Sequence, residues 1–367
     1  MPADLSKLNM GSYTAEPYRY EFSSTAKAAE LRRIESKRML NYVISAADID
    51  AEADELAGVE TFKEPKDPFE TPVFPDEFKP AIGDNTMVAG AYVARTDGNS
   101  RSPRRLIVSL LRFPTESAAS KATTDLGRAI QEKSPQQIKI NDMPDVTAYS
   151  SSWSAGTAVA ARGVYLVMIN YGRAAPDETA VTTNLSKAMN LQLTKIEGLV
   201  PMAWEDVLDS PVDPDGIMKK ALASESPKYP FDDQGDFGAY TPTAHLHYER
   251  NLPQVGKAYT ASGVDLVGRR AGIVYRTRDL EGAFQLQVAL TSLGKRDHET
   301  PAPSLMADAR CVQLYEKDPV RNYDLLCAVV KGRWVGVVTA RSKLSGQVDP
   351  VLYERAAAQY ALLATTE

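Results

Sequence analysis

The chain has 367 residues, 43% hydrophobic and 25% charged, with 42 Lys and Arg against 48 Asp and Glu for a net charge of -6. That length exceeds one ordinary single-core domain and suits two with a linker. The mildly acidic balance argues against a nucleic-acid partner, whose affinity rests on cations neutralising phosphates. No run of about 18 to 20 apolar residues is present to make a membrane-spanning helix. The opening MPADLSKLNMGSYTAEPYRYEF also lacks the basic start and apolar stretch of a secretory signal.

In chain order, the first expected element is a helix from Ala28 to Ile49, periodic through Leu31, Ile34, Met39, Tyr42 and Val43. It runs into the acidic stretch Asp48 to Glu55. A calcium loop fails there, because Ala53 and Val59 stand where a Gly and a bidentate Glu are needed. Phe62 to Pro80 carries Pro too often for regular structure and reads as an ordered meander. The densest basic run, RSPRRL from Arg101 to Leu106, reads as a solvated turn.

Next, RRLIVSLLRFPTESAASKATTDLGRAI (Arg104 to Ile130) predicts a strand, a turn and a helix; DVTAYSSSW and TAVAARGVYLVMINYG predict two more strands, and Asp177 to Ile196 a second helix. The same order returns later. RRAGIVYRTRDLEGAFQLQVALTSL (Arg269 to Leu293) matches the first strand and helix, with Glu281 lying 165 residues beyond Glu116. VKGRWVGVVTA matches ARGVYLVMINY, placing Gly332 169 residues beyond Gly163. Two matches at nearly one offset mark an internal repeat.

The predicted fold class is therefore α+β: two related β-α-β-β-α repeats, antiparallel sheets with helices packed on one face. The closing helix of each copy carries an apolar stripe: Val181, Leu185, Ala188 and Met189 in one, Leu352, Ala356, Tyr360 and Leu363 in the other, with Gln359 as a polar exception. Leu252 to Val267 is expected to precede the second copy as Ala28 to Ile49 precedes the first. The expected domains are residues 1–200, a Pro- and Asp-rich linker 201–240, and residues 241–367.

Both cysteines, Cys311 and Cys327, fall on the central hairpin of the second copy, whose turn KDPVRN centres on Pro319. Such a hairpin sets them opposite each other, within reach of a disulfide. Two buried free thiols are the alternative, since the first copy has no Cys near Thr147 and Ala158. The disulfide would imply an oxidising, extracytoplasmic compartment.

Several phrases carry a further resemblance: DLSKLNMGSYTAEP, ESKRMLNYV, LLRFPTESAASKA, PVDPDGIM, SGVDLV and YERAAAQYALL. Together they resemble a family of envelope lipoproteins of unknown function from mycolic-acid-containing actinobacteria. The resemblance implies an extracytoplasmic, cell-envelope location, with membrane association only through a lipid anchor absent from this chain.

No catalytic motif emerges. His245, His247 and Glu249 in TAHLHYERN would share one face of a strand and form a weak metal candidate. SSSWSAGTA lacks a nucleophile elbow, His298 has no orienting partner, and no phosphate-binding loop suggests a cofactor. The 17 Tyr against 9 Phe offer apolar bodies with polar tips. The expected function is non-enzymatic binding of a small or amphiphilic ligand, or of a protein partner, at a cleft between the repeats. The alternatives are a metal-assisted envelope hydrolase on the two histidines and Glu249, or a structural scaffold.

Overall fold

The computed structural model describes residues 4–17, 27–99, 101, 104–140, 143–223, 236–342 and 349–366. The chain divides into two compact units, residues 22–210 and residues 1–21 together with 211–367. Each is α+β, and each is built on a seven-stranded sheet.

The first unit runs α1 (Lys27–Leu40), β1 (Glu55–Phe62), α2 (Asp67–Glu70), α3 (Lys79–Gly83), β2 (Ala89–Thr96), β3 (Arg105–Arg112), α4 (Glu116–Lys133), β4 (Gln136–Gln137), β5 (Thr147–Ser150), β6 (Ala155–Arg162), β7 (Tyr165–Gly172), α5 (Glu178–Ile196) and α6 (Trp204–Leu208). Its strand order is β1-β2-β3-β7-β6-β5-β4, every pair antiparallel. Thr115 caps α4 by accepting from the Ala118 N–H, and Ala119, Ala122, Leu126 and Ile130 recur on the buried face of that helix. The expected meander is ordered by its own aromatics and prolines. Pro68 and Pro80 sit in the first turns of α2 and α3, where a missing N–H costs nothing, and Phe74 packs edge-on against Phe62, Phe69, Phe78 and Tyr92.

The second unit opens with a short turn at Leu5–Lys7 and continues α7 (Ile217–Lys220), β8 (Gly238–Tyr240), α8 (Pro242–Leu246), α9 (Leu252–Ser262), β9 (Leu266–Arg269), β10 (Ile273–Arg276), α10 (Leu280–Leu290), β11 (His298–Thr300), β12 (Arg310–Gln313), β13 (Leu325–Lys331), β14 (Trp334–Ala340) and α11 (Pro350–Thr365). Its order, β11-β12-β13-β14-β10-β9-β8, is that of the first sheet with every strand seven places further on. The repeat is thus three strands, a helix, four strands and a helix, larger than the predicted unit. Gly163 and Gly332 each open a two-residue hairpin loop at φ 56° and 55°. Only glycine takes that conformation there without strain, which explains why these residues marked the repeat.

The expected domain limits differ from the structure at both ends. Residues 4–17 pack with the second unit: Tyr13 lies in its core and accepts from Arg355 Nε at 2.7 Å. The expected linker 201–240 is largely taken up by the units. Arg112 Nη2 donates to the Met202 carbonyl at 2.7 Å, while Ile217, Met218, Ala221 and Leu222 enter the second core. Residues 224–235 of that stretch lie outside the described residues. The helix α1 ends at Leu40, nine residues before the predicted end at Ile49, and α9 lies between β8 and β9 rather than ahead of its sheet.

Gln359, the polar exception, has a structural task. Its amide accepts from Leu222 N at 2.9 Å and donates to the Lys220 carbonyl at 2.7 Å. Gln192 on α5 does the same in the first unit, accepting from Ile44 N at 3.0 Å and donating to the Tyr42 carbonyl at 2.7 Å. Each closing helix therefore clamps the segment leading into its own repeat. The buried amide is retained because it satisfies backbone groups that no strand pairs.

Cys311 and Cys327 are paired in a disulfide and face each other directly in the β12–β13 register, with Cα atoms 4.1 Å apart. The same two places in the first sheet are Ala148 and Ala158, one residue from the expected Thr147. Closing a loop of this length stabilises by roughly 3 kcal/mol through the unfolded chain. The double variant Cys311→Ala, Cys327→Ala is expected to lose about that much in urea unfolding. An unchanged midpoint would show that the cross-link restricts nothing.

Candidate functional site

The residues singled out around His245 do not lie on a strand. Thr241 accepts from Ala244 N and Pro242 takes the first helical position, so α8 forms. The turn continues through Tyr248 N to His245 O at 2.9 Å and Glu249 N to Leu246 O at 3.1 Å. Helical spacing puts His245 and Glu249 on one side and turns His247 away, although His247 is also buried. The expected alternation is corrected on this point: capping chemistry at Thr241 and Pro242 outweighs a short period-two pattern.

His245 and Glu249 belong to a buried network drawn from six segments of the chain. Arg269, the last residue of β9, donates through Nη1 to His245 Nε2 at 2.9 Å. With Nε2 accepting, the ring proton sits on Nδ1, which faces Tyr259 Oη at 2.8 Å and Glu249 Oε1 at 3.1 Å. Tyr259 on α9 and Tyr275 on β10 each donate to Glu249 Oε1, at 2.7 and 2.8 Å. On the other side, Asp236 accepts from Arg269 Nε at 3.0 Å and from Arg321 Nε at 2.5 Å. The Arg269 guanidinium also lies 4.2 Å from the Tyr248 ring centroid.

Arg321 is delivered by the turn KDPVRN. Asp318 accepts from Val320 N at 3.0 Å and Arg321 N at 2.7 Å, which tightens the loop and aims the guanidinium inward. The hairpin that carries the disulfide thus also completes the charge cluster.

Burial sets the protonation states. It drives His245 down from 6.5 to about 4, with Arg269 adding to the effect and Glu249 opposing it, so the ring is neutral at pH 7. Burial works against ionised Asp236 and Glu249, yet both carboxyls are held below their ordinary values. For Asp236 the guanidiniums of Arg321 and Arg269 prevail; for Glu249 the hydrogen bonds from His245, Tyr259 and Tyr275 do. Two anions then face two cations around a neutral imidazole.

This arrangement is built for rigidity. Both ring nitrogens of His245 are engaged by protein groups and the side chain is fully buried, so no proton-transfer atom is presented to a substrate. Among the described residues no group of three or more His, Cys, Asp or Glu is placed to hold a metal ion. His298 stands apart at the sheet edge, its Nε2 3.1 Å from Gln313 Oε1. Sequence reasoning missed Asp236, Arg269 and Arg321, which come from three distant segments. The excess of tyrosine was the available signal: Tyr240, Tyr248, Tyr259 and Tyr275 all line this cluster.

The first unit contains a smaller counterpart. Buried Glu35 on α1 accepts from Arg38 Nε at 2.7 Å and Arg112 Nη1 at 2.8 Å. Arg112 in turn stacks on Trp204 with its guanidinium 4.6 Å from the ring centroid.

Two family models cover these units: a domain of unknown function, DUF7373 N-terminal, over residues 22–212, and its C-terminal partner over residues 217–366. The chain belongs to the DUF7373 family. The boundary between the DUF7373 regions falls where the compact units divide, and the C-terminal model begins at α7, the segment clamped by Gln359. No curated protein matches the chain. Among solved structures it is similar to the extracellular domain of PknH from Mycobacterium tuberculosis, at 8% identity over 42% of this chain and 95% of that one, with a TM-score of 0.29. No described helix of the DUF7373 chain is long and apolar enough to cross a membrane.

Proposed function

We propose that this protein is a non-catalytic binding protein of an oxidising, extracytoplasmic compartment, of the envelope-lipoprotein kind its sequence resembles, and that it takes an amphiphilic small molecule or a protein partner. The observation that carries the reading is the closed state of the ionisable cluster. Asp236, His245, Glu249 and Arg269 are buried and matched to one another, which suits a rigid scaffold and not a group that must meet substrate. The Cys311–Cys327 disulfide supports the compartment, because such bonds persist where the surroundings oxidise.

Native mass spectrometry of the full chain isolated from its natural host tests this reading. A lipid, a sugar or a second polypeptide carried with the protein is the expected result. A bare chain, or a stoichiometric metal whose removal by chelator abolishes a hydrolytic activity, would overturn it.

A further inference from the structure

Helix α10 exposes an apolar stripe on a surface that the rest of the fold leaves open. Leu280, Phe284 and Val288 are 52%, 38% and 49% exposed, and their spacing of four puts them on one face. Leu293 (47%) and Tyr315 (59%) extend it past the end of the helix. Tyr315 is held there by its N–H on Asp297 Oδ1 at 2.8 Å, with the Arg296 guanidinium 4.0 Å from its ring centroid.

The other repeat supplies an internal control. Aligning the caps Thr115 and Asp279 superposes the buried faces, Ala119 on Ala283, Ala122 on Leu286 and Thr123 on Gln287. In that register, one residue off the match of Glu281 with Glu116 read from the sequence, Leu280, Phe284 and Val288 stand where α4 carries exposed Glu116, Ser120 and Thr124. The fold therefore does not require apolar residues on this face, and their presence on α10 alone needs another cause.

The charges at the two ends decide which partner fits. At the N-terminal end exposed Asp279 is already paired with Arg278 at 3.1 Å, which leaves exposed Glu281 as the unneutralised acid; the C-terminal end carries exposed Lys295 and Arg296. Acid at one end and base at the other makes the face complementary to itself in a twofold, antiparallel pairing of identical helices. An axis between Phe284 and Val288 sets Phe284 of each copy against Val288 of the other, and brings Glu281 within reach of the other copy's Lys295 and Arg296. A purely anionic surface, such as a lipid bilayer, would leave Glu281 without a partner.

We infer that α10 is a self-association surface, on which two copies of this chain pair antiparallel through Leu280, Phe284 and Val288. Five half-exposed side chains cover a few hundred Å², less than the roughly 800 Å² per partner of a standard interface, so the dimer is a weak one.

Sedimentation equilibrium of the full chain from about 1 to 300 μM tests the pairing. The expected result is a monomer–dimer equilibrium. Phe284→Ser with Val288→Thr, which installs the first repeat's surface residues, should raise the dissociation constant at least roughly tenfold. Glu281→Lys and Arg296→Glu should each weaken the dimer, and the two together should restore it, a rescue that neither misfolding nor generic stickiness produces. A monomer throughout the range, single and double charge variants that behave alike, or capture of the monomer by vesicles of anionic phospholipid without dimer formation would overturn the inference.

Discussion

Replacing Asp236 by alanine is expected to cost about 3–5 kcal/mol of stability, the largest effect of any single substitution considered. The carboxylate joins two guanidiniums, Arg269 on β9 and Arg321 on the β12–β13 turn, and its side chain is about 5% exposed. Truncating it leaves both cations buried without their counter-charge, and Arg269 can no longer be held against His245. The cost comes from stranding the charges rather than from losing a strong attraction, because a buried ion pair as a whole contributes little net stability. Urea unfolding monitored by tyrosine and tryptophan fluorescence measures it. A shift worth less than about 1 kcal/mol would show that water or a rearranged partner reaches the arginines.

Acidification is the second large effect, and its sign follows from which state binds the proton. The His245 ring takes up a proton near 6.5 when unfolded but only near 4 when folded. Its contribution is therefore complete above about pH 6.5 and is lost as the pH falls from there towards 4. Over that window the loss is about 3 kcal/mol from this residue. Asp236 and Glu249, whose folded values are depressed, add stability that disappears at still lower pH, below the ordinary carboxylate range. Unfolding free energy measured at pH 7, 5.5 and 4.5 should fall steadily. His245→Gln should flatten the upper part of that profile while leaving the carboxylate part in place. A wild-type profile level between pH 7 and 4.5 would mean that the ring accepts a proton in the folded state, and would remove the buried neutral imidazole from the network.

Much of the architecture was legible in the chain itself because it rests on local signals. The strand-to-helix joints at Thr115 and Asp279 are announced by capping residues ahead of apolar periodicity. The hairpins at Gly163 and Gly332 are announced by a turn only glycine favours. Finding both twice is what exposed the duplication, and the spacing of the cysteines about Pro319 was enough to oppose them. The failures have physical reasons too. A period-two pattern of three polar residues in TAHLHYERN is too short to compete with the Thr241–Pro242 cap, so a helix forms where the alternation points to a strand. Residues 211–222 look like a linker by composition, yet Ile217, Met218 and Leu222 are pinned in the core by a glutamine 137 residues away from Leu222.

The sequence by itself determined the α+β class, the duplication, the hairpin that opposes the two cysteines and the starts of the helices that close each copy, since each depends on residues near one another in the chain. Only the tertiary structure decided which charges meet. Asp236, Glu249, Arg269 and Arg321 are drawn from four separate segments and become a single network because burial forces every charge to find a partner, and that pairing is a property of the packed sheet rather than of any local pattern.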